Sequence, residues 1–198
     1  MLKIDHRKIL KHLYLPSSKS PSIVEVPAMN YLMIDGIGKP DGEQFQQAAG
    51  LLYPLAYTLK WMVRLESDID FHVMPMEVLW KVNREKQEFK FTMMLMQPEY
   101  ISSELVAEAR VKVHSKVDAK QLENVRFESH SDGVCVQFLH VGAYEKMNAA
   151  GKLMEDYARQ QGYIIPVHFT HDIYLNDVRK TKPENLKSVM RYQVVKAS

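Results

Sequence analysis
The 198 residues are 46% hydrophobic and 25% charged, enough chain to bury a sizeable core and too apolar a composition for overall disorder. The formal net charge of +2 comes without the basic stripe that a phosphate backbone requires, which argues against nucleic acid as a partner. There is no apolar run of about eighteen residues, and MLKIDHRKILKHLYLP is too charged for a signal peptide, which argues against a membrane partner or export. The single cysteine, Cys135, forbids an internal disulfide and suits a reducing compartment, so a cytoplasmic location is expected. Twelve methionines and ten tyrosines suit a core, and equally an adaptable pocket.

In chain order, residues 1–15 predict a short amphipathic helix with Ile4, Ile9, Leu10 and Leu13 on one side, stopping at Pro16. Two extended segments follow over 23–38, broken at Pro27 and closed by a glycine turn. From Glu43 to Leu65 the apolar positions Phe45, Ala48, Leu52, Leu55, Leu59 and Met62 step by three or four. That is a long helix, which Pro54 is expected to kink or split. Residues 68–82 and 88–98 read as strands, and 101–113 as a helix capped by Ser102 or Ser103. Extended segments over 124–144, a helix over 145–162 stopped by Gly162, and strands at 167–176 and 186–195 complete the chain.

The two halves share one order: strand, glycine turn, helix, strand, strand. YLMIDGIGKP (31–40) aligns with CVQFLHVGAY (135–144), and FKFTMMLMQ with LKSVMRYQV. MEVLW (76–80) aligns with HDIYL (171–175), which sets Glu77 opposite Asp172. One such unit has too little core to stand alone, so the pair is expected to pack about a pseudo-twofold axis with a groove between the units. The predicted organisation is one domain: helix and connector (1–22), first module (23–98), linking helix (99–123) and second module (124–198).

Period-two alternation puts Val167, Phe169, His171, Ile173 and Leu175 on one face of the last long strand segment. His168, Thr170, Asp172, Tyr174 and Asn176 fall on the other. The first set is more apolar and is taken as the core face. Asp172 beside Tyr174 is then either part of a solvated polar face or the floor of a site that holds a cation or orients a water. Tyr53, Tyr57 and Trp61 recur at helical spacing, as core or as the border of a groove. GIGKPDG (36–42) lacks phosphate-loop spacing, and His168 and His171 point to opposite faces, so no metal or cofactor is expected. Cys135 reads as a buried structural thiol.

LYLP, VEVPAMNYLMIDGIG, FKFTMMLMQPEY, GVCVQFLHVGAY and HDIYLNDVRKTKPENLKSVMRY, in that order, resemble the GyrI-like small-molecule-binding family. The likeness is greatest to stand-alone bacterial members, among them the cyclopropanoid cyclopropyl hydrolases. The resemblance implies an α+β fold: two pseudo-symmetric strand-helix-strand-strand (SHS2) modules forming a curved antiparallel sheet with a central ligand cleft. It implies binding of a hydrophobic, aromatic or cationic small molecule, in a xenobiotic, multidrug or detoxifying role. Alternatively, it implies hydrolysis of cyclopropane-bearing DNA-alkylating xenobiotics. The family's cleft carries an acidic residue, usually Glu, at the position of Asp172, which is one methylene shorter. The expected ligand-binding residues are Asp172, Tyr174, Glu77, Trp80, Tyr57, Phe91, Tyr144 and Tyr53; Asp172 and Tyr144 would be catalytic in an enzyme. The expected assembly is a monomer or homodimer.

Overall fold
Gly38 and Gly142 set the geometry of the two halves. Their φ angles are 130° and 134°, backbone that a residue with a Cβ rarely adopts. Their amides make matching bonds, Gly38 N–H to the Phe89 carbonyl at 2.8 Å and Gly142 N–H to the Leu186 carbonyl at 2.9 Å. In this computed structural model, which describes residues 1–40, 42–83, 88–113, 117–166 and 169–197, the elements around those turns repeat.

The chain opens with β1 (Leu2–Ile4) and two helical turns, α1 (His6–Ile9) and α2 (Lys11–Tyr14). The first half continues as β2 (Ser22–Val26), β3 (Met29–Ile37), α3 (Glu43–Ser67), β4 (Ile69–Phe71), β5 (Met76–Asn83) and β6 (Glu88–Gln97). Next come α4 (Ser103–Val113) and α5 (Ala119–Leu122). The second half is β7 (Arg126–His130), β8 (Gly133–Val141), a 3-10 turn at Tyr144–Lys146, α6 (Met147–Gln160), β9 (Tyr163–Ile164), β10 (Phe169–Tyr174), β11 (Lys187–Gln193) and β12 (Val195–Lys196).

Three local expectations are corrected. Residues 1–15 are not one helix. Leu2–Ile4 pair in parallel with β4, Asp5 caps a new turn by accepting from the Arg7 amide, and Ile9 is 65% exposed while Leu13 and Tyr14 are buried. Tertiary pairing overrides a weak helical period there. The 68–82 strand is two strands, interrupted around Pro75, which cannot donate to a ladder. Pro54 does not split α3. The helix runs unbroken from Glu43 to Ser67, its buried stripe from Phe45 to Val63 outweighing the one amide donor that proline lacks, and Thr58 Oγ1 donates to the Pro54 carbonyl at 2.8 Å. The predicted strand positions Val167 and His168 lie outside the described residues.

Eight strands form one curled antiparallel sheet in the order β2-β8-β11-β10-β5-β6-β3-β7. The halves meet at β5 and β10. Each half is closed at its edge by a strand that precedes the other half: β2 pairs with β8, and β7 with β3.

Register decides which positions correspond. Ile34 pairs with Met93, which pairs with Val78; likewise Phe138 pairs with Met190, which pairs with Asp172. The counterpart of Asp172 is therefore Val78, not Glu77, and Glu77 lies against Ile173. The expected apposition of Glu77 and Asp172 does not occur, because a one-residue slip in strand alignment transfers a side chain to the other face.

Both faces of the sheet are covered. On the helix face, α3 packs over Leu32, Ile34, Val78, Trp80, Phe91, Met93 and Leu95, with α4 behind it. Also on this face, α6 packs over Val136, Phe138 and Met190. The opposite face is filled by Leu13 and Tyr14 of α2 with Tyr31, Met33, Met94, Met96, Ile173 and Val189. No helix among the described residues is long and apolar enough to cross a membrane.

Candidate functional site
On the helix face, the central pair β5–β10 lies between the layer under α3 and the layer under α6. Alternation along β10 directs Asp172 and Tyr174 into this interval. Asp172 is buried, at 7% exposure. Its Oδ2 lies 3.4 Å from the Thr170 hydroxyl, and its Oδ1 has no hydrogen-bond partner among the described residues. Ser188 Oγ, on the neighbouring strand opposite Tyr174, is also buried without one. A buried polar atom left in this state costs on the order of 1–3 kcal/mol, so both invite a ligand's donors. Burial pushes the Asp172 carboxyl up to about 7, against the opposing pull of the His171 charge and the Thr170 hydroxyl.

Aromatic groups surround this carboxyl. Tyr174 Oη accepts a hydrogen bond from Trp80 Nε1 at 3.1 Å, reaching diagonally across the central pair. Tyr144, at the entry to α6, meets the Tyr174 ring edge-on at a centroid distance of 5.6 Å. Burial, then the charges of Asp172 and Asp177, raises the Tyr144 hydroxyl; burial and Asp172 raise that of Tyr174 well above its usual value. Both phenols are neutral donors at physiological pH.

The other expected residues divide. Trp80 stacks on Phe45 of α3 (5.6 Å, 9° between planes), and Phe91 packs edge-on to both, so Phe91 is part of the core behind the indole. Tyr53 on α3 sits beside the Met76 backbone and the Asp177–Arg179 pair, and burial pushes its hydroxyl up to about 12. Tyr57, one turn on, packs against Tyr53 with a 6.5 Å centroid separation and is half exposed. Glu77 is fully buried on the opposite face, away from this group.

Glu77 belongs instead to a polar network that sequence reasoning did not find. Tyr14 Oη donates to Glu77 Oε1 at 2.6 Å, and His171 Nε2 donates to Glu77 Oε2 at 2.9 Å. His171 Nδ1 donates to Asp132 Oδ2 at 2.6 Å, and His130 Nε2 lies 2.9 Å from Asp132 Oδ1. Burial disfavours the His171 cation, but the Asp132 charge and the hydrogen bonds His171 donates to both carboxylates push it up to about 9. Asp132 resists burial in the same way. The His171 charge, with hydrogen bonds from His130 and His171, holds it well below the usual carboxylate range. Arg191, 1% exposed, donates to the Leu13 carbonyl and, at 3.3 Å, to Gln137; Gln137 in turn donates to the His12 carbonyl at 2.6 Å. These bonds stitch α2 to the sheet. The available signal was charge at inward positions: Glu77 and Arg191 interrupt apolar strands, and a buried charge requires a partner.

A cavity of about 650 Å³ opens on this same opposite face, lined by Asp35, Ile37, Leu79, Lys81, Lys90 and His130 among others. A smaller one, about 390 Å³, lies beside the start of α3 and is bordered by Gln47, Leu51 and Arg126. Among the described residues, no group of His, Cys, Asp or Glu side chains could hold a metal ion. Cys135 is buried, and burial pushes its thiol up to about 12.

The GyrI-like small molecule binding domain matches residues 19–194. A conserved protein from Listeria innocua is similar in structure, with a TM-score of 0.89 and 32% identity, covering 97% of this chain and 100% of that one. A protein described as a hydrolase from Listeria innocua has a TM-score of 0.87 and 33% identity, covering 97% of this chain and 100% of that one. The EcmrR C-terminal domain, with a TM-score of 0.52 and 12% identity over 90% of this chain and 98% of its own, shares the fold. No curated protein matches the sequence.

Proposed function
Because the chain belongs to the GyrI-like small-molecule-binding family, we propose that it takes a hydrophobic aromatic cation between its two halves, at Asp172, as a sequestering or detoxifying protein. The observation that carries this is the buried Asp172 carboxyl with an unpartnered Oδ1 among Trp80, Tyr144 and Tyr174. A carboxyl titrating near 7 is half protonated without a ligand. A cation beside it restores the ionised form, and aromatic rings add cation–π attraction of about 0.5–2 kcal/mol each. Tyr53 and Tyr57 of α3 extend the aromatic border on the other side.

Thermal shift with a panel of planar aromatic cations, such as ethidium, tests this. Each active ligand is expected to raise the melting temperature of the wild type and to lose most of that rise in Asp172→Asn, each protein measured against its own ligand-free value. If no member of the panel shifts the wild type, the reading fails.

A second reading is hydrolysis, favoured by the hydrolase among the 33%-identical relatives and by the elevated Asp172 carboxyl. On a cyclopropane-bearing electrophile, Asp172 would accept a proton from water as the water oxygen bonds to the ring methylene. The cyclopropane C–C bond breaks, and its electron pair passes into the conjugated carbonyl, whose oxygen takes a proton from the Tyr144 hydroxyl. Mass spectrometry of such an alkylator after incubation separates the two. Ring-opened, hydrated product that disappears in Asp172→Asn supports hydrolysis; tight binding with the electrophile intact rules it out.

A further inference from the structure
The cavity on the face opposite Asp172 has a chemistry of its own. Lys81 and Lys90 lie directly across from each other on β5 and β6 and project to the same face. Like charges so placed repel, which a sheet normally avoids. Among the described residues, the nearby acids do not resolve this. Asp35 is already bound by Arg126 and by the Thr92 hydroxyl at 2.6 Å, and Glu88 reaches Lys90 only at 3.7 Å. Lys81 has no ion pair among the described residues. Beside the lysines the wall has an apolar part, formed by Leu79 and by Ile37, which stands 53% exposed.

His130 also lines the cavity. Asp132 is held ionised, so His130 Nε2 is the donor in their 2.9 Å bond, which in the neutral ring makes Nδ1 the acceptor nitrogen. Asp132 is itself immobilised by His171, which is bound to Glu77 in turn. The imidazole therefore borders the cavity from a rigid support. Two cations, an apolar stretch and an imidazole in one cavity describe a complementary molecule.

We propose that this cavity is a second small-molecule site, taking an amphipathic organic anion. A carboxylate or sulfonate head would sit between Lys81 and Lys90, the apolar body would lie over Leu79 and Ile37, and a hydroxyl would donate to His130. At about 650 Å³ the space is within the range of drug-sized ligand sites. Its lysines, Leu79 and Ile37 project from the other side of the sheet from Asp172, and Trp80 borders both sites.

The probe is 6-hydroxy-2-naphthoate, titrated by its own fluorescence, with 2-naphthylmethylammonium as the matched cation. Saturable naphthoate binding is expected, weakened at least tenfold in Lys81→Gln/Lys90→Gln and weakened by added salt, with the His130 ring resonances shifting during the titration. The double variant is expected to leave naphthylmethylammonium binding unchanged, whereas Asp172→Asn is expected to weaken the cation and spare the anion. Both lysines are solvent-facing, and a melting curve of the double variant checks that its fold is kept. The proposal is overturned by the absence of saturable naphthoate binding, by binding indifferent to the lysine substitutions, by unshifted His130 resonances, or by competition between anion and cation. Failure of the cation alone to bind the wild type counts against the Asp172 site and leaves the anion result standing.

Discussion

His171 and Asp172 are consecutive residues of β10, yet one is a cation clamped between two carboxylates and the other a carboxyl with an oxygen to spare. A single strand separates these environments because neighbouring side chains leave it on opposite faces. The two still feel each other electrostatically: the His171 charge pulls the Asp172 carboxyl down, and burial outweighs it. The buried ionic network on one face of the sheet and the carboxyl offered to a ligand on the other are thus electrostatically linked.

Asp172 should make stability depend on pH. Its carboxyl titrates near 7 in the folded chain, against 3.8 for the ordinary group, so the folded state holds a proton that the unfolded state has lost. Stability from this group is fully present below about 3.8 and falls as pH rises through 7, in full by on the order of 4 kcal/mol. Asp172→Asn carries no such burden. Urea denaturation is expected to find it close to wild type at pH 4 and more stable than wild type at pH 8. An equal difference at both would contradict the assigned burial.

His171 acts in the opposite sense. Its folded pKa, near 9, exceeds the ordinary 6.5, so its contribution is present below 6.5 and lost as pH rises through 9. His171→Gln leaves Glu77 and Asp132 buried without the cation between them. Breaking a buried pair of this kind costs about 3–5 kcal/mol. Chemical denaturation should show the loss at pH 6 and a smaller one at pH 10.

Tyr14→Phe removes the donor to Glu77 Oε1 while keeping the ring in place. About 1–3 kcal/mol is expected, because a carboxylate oxygen is left unsatisfied in the interior. The effect should be local first: trypsin is expected to cut after Lys11 faster than in the wild type, before the rest of the domain is attacked. Unchanged cleavage would mean that α2 is held by packing alone.

Gly36 faces Phe91 across the β3–β6 pair, and a Cβ there would come within 2.2 Å of the ring. Phe91 cannot swing aside freely, being 3% exposed and packed on Phe45 and Trp80. Gly36→Ala should therefore destabilise by about 1–3 kcal/mol. Because Trp80 donates to Tyr174, it should also lower the affinity of any ligand at Asp172, read as a smaller thermal shift. A neutral outcome in both assays would show that the aromatic group is loosely packed.

Much of this architecture is legible in the sequence because it is written in local periodicity. The step of three or four along Phe45 to Met62 specified α3, and the glycines at 38 and 142 marked equivalent turns. The register between the halves was not legible. Aligning MEVLW with HDIYL matched carboxylate with carboxylate, whereas the structure sets Val78 against Asp172 and places Trp80 as the counterpart of Tyr174. One position of error was enough to turn Glu77 from a candidate ligand residue into a structural one. The network around His171 was hidden for another reason. Its partners lie in α2, β5 and the turn between β7 and β8, and no short window contains them together.

The exchange of edge strands between the halves has a consequence for synthesis. When β2 leaves the ribosome its partner does not yet exist, since β8 begins at Gly133 of a 198-residue chain. The first half likewise waits for β7 before its own outer edge is closed. For that interval a growing chain carries unpaired strand edges, the kind of surface that recruits a neighbouring copy. Holding those edges apart until the second half arrives is therefore a task for the translating cell, and slowing elongation before residue 126 should lower the yield of native protein.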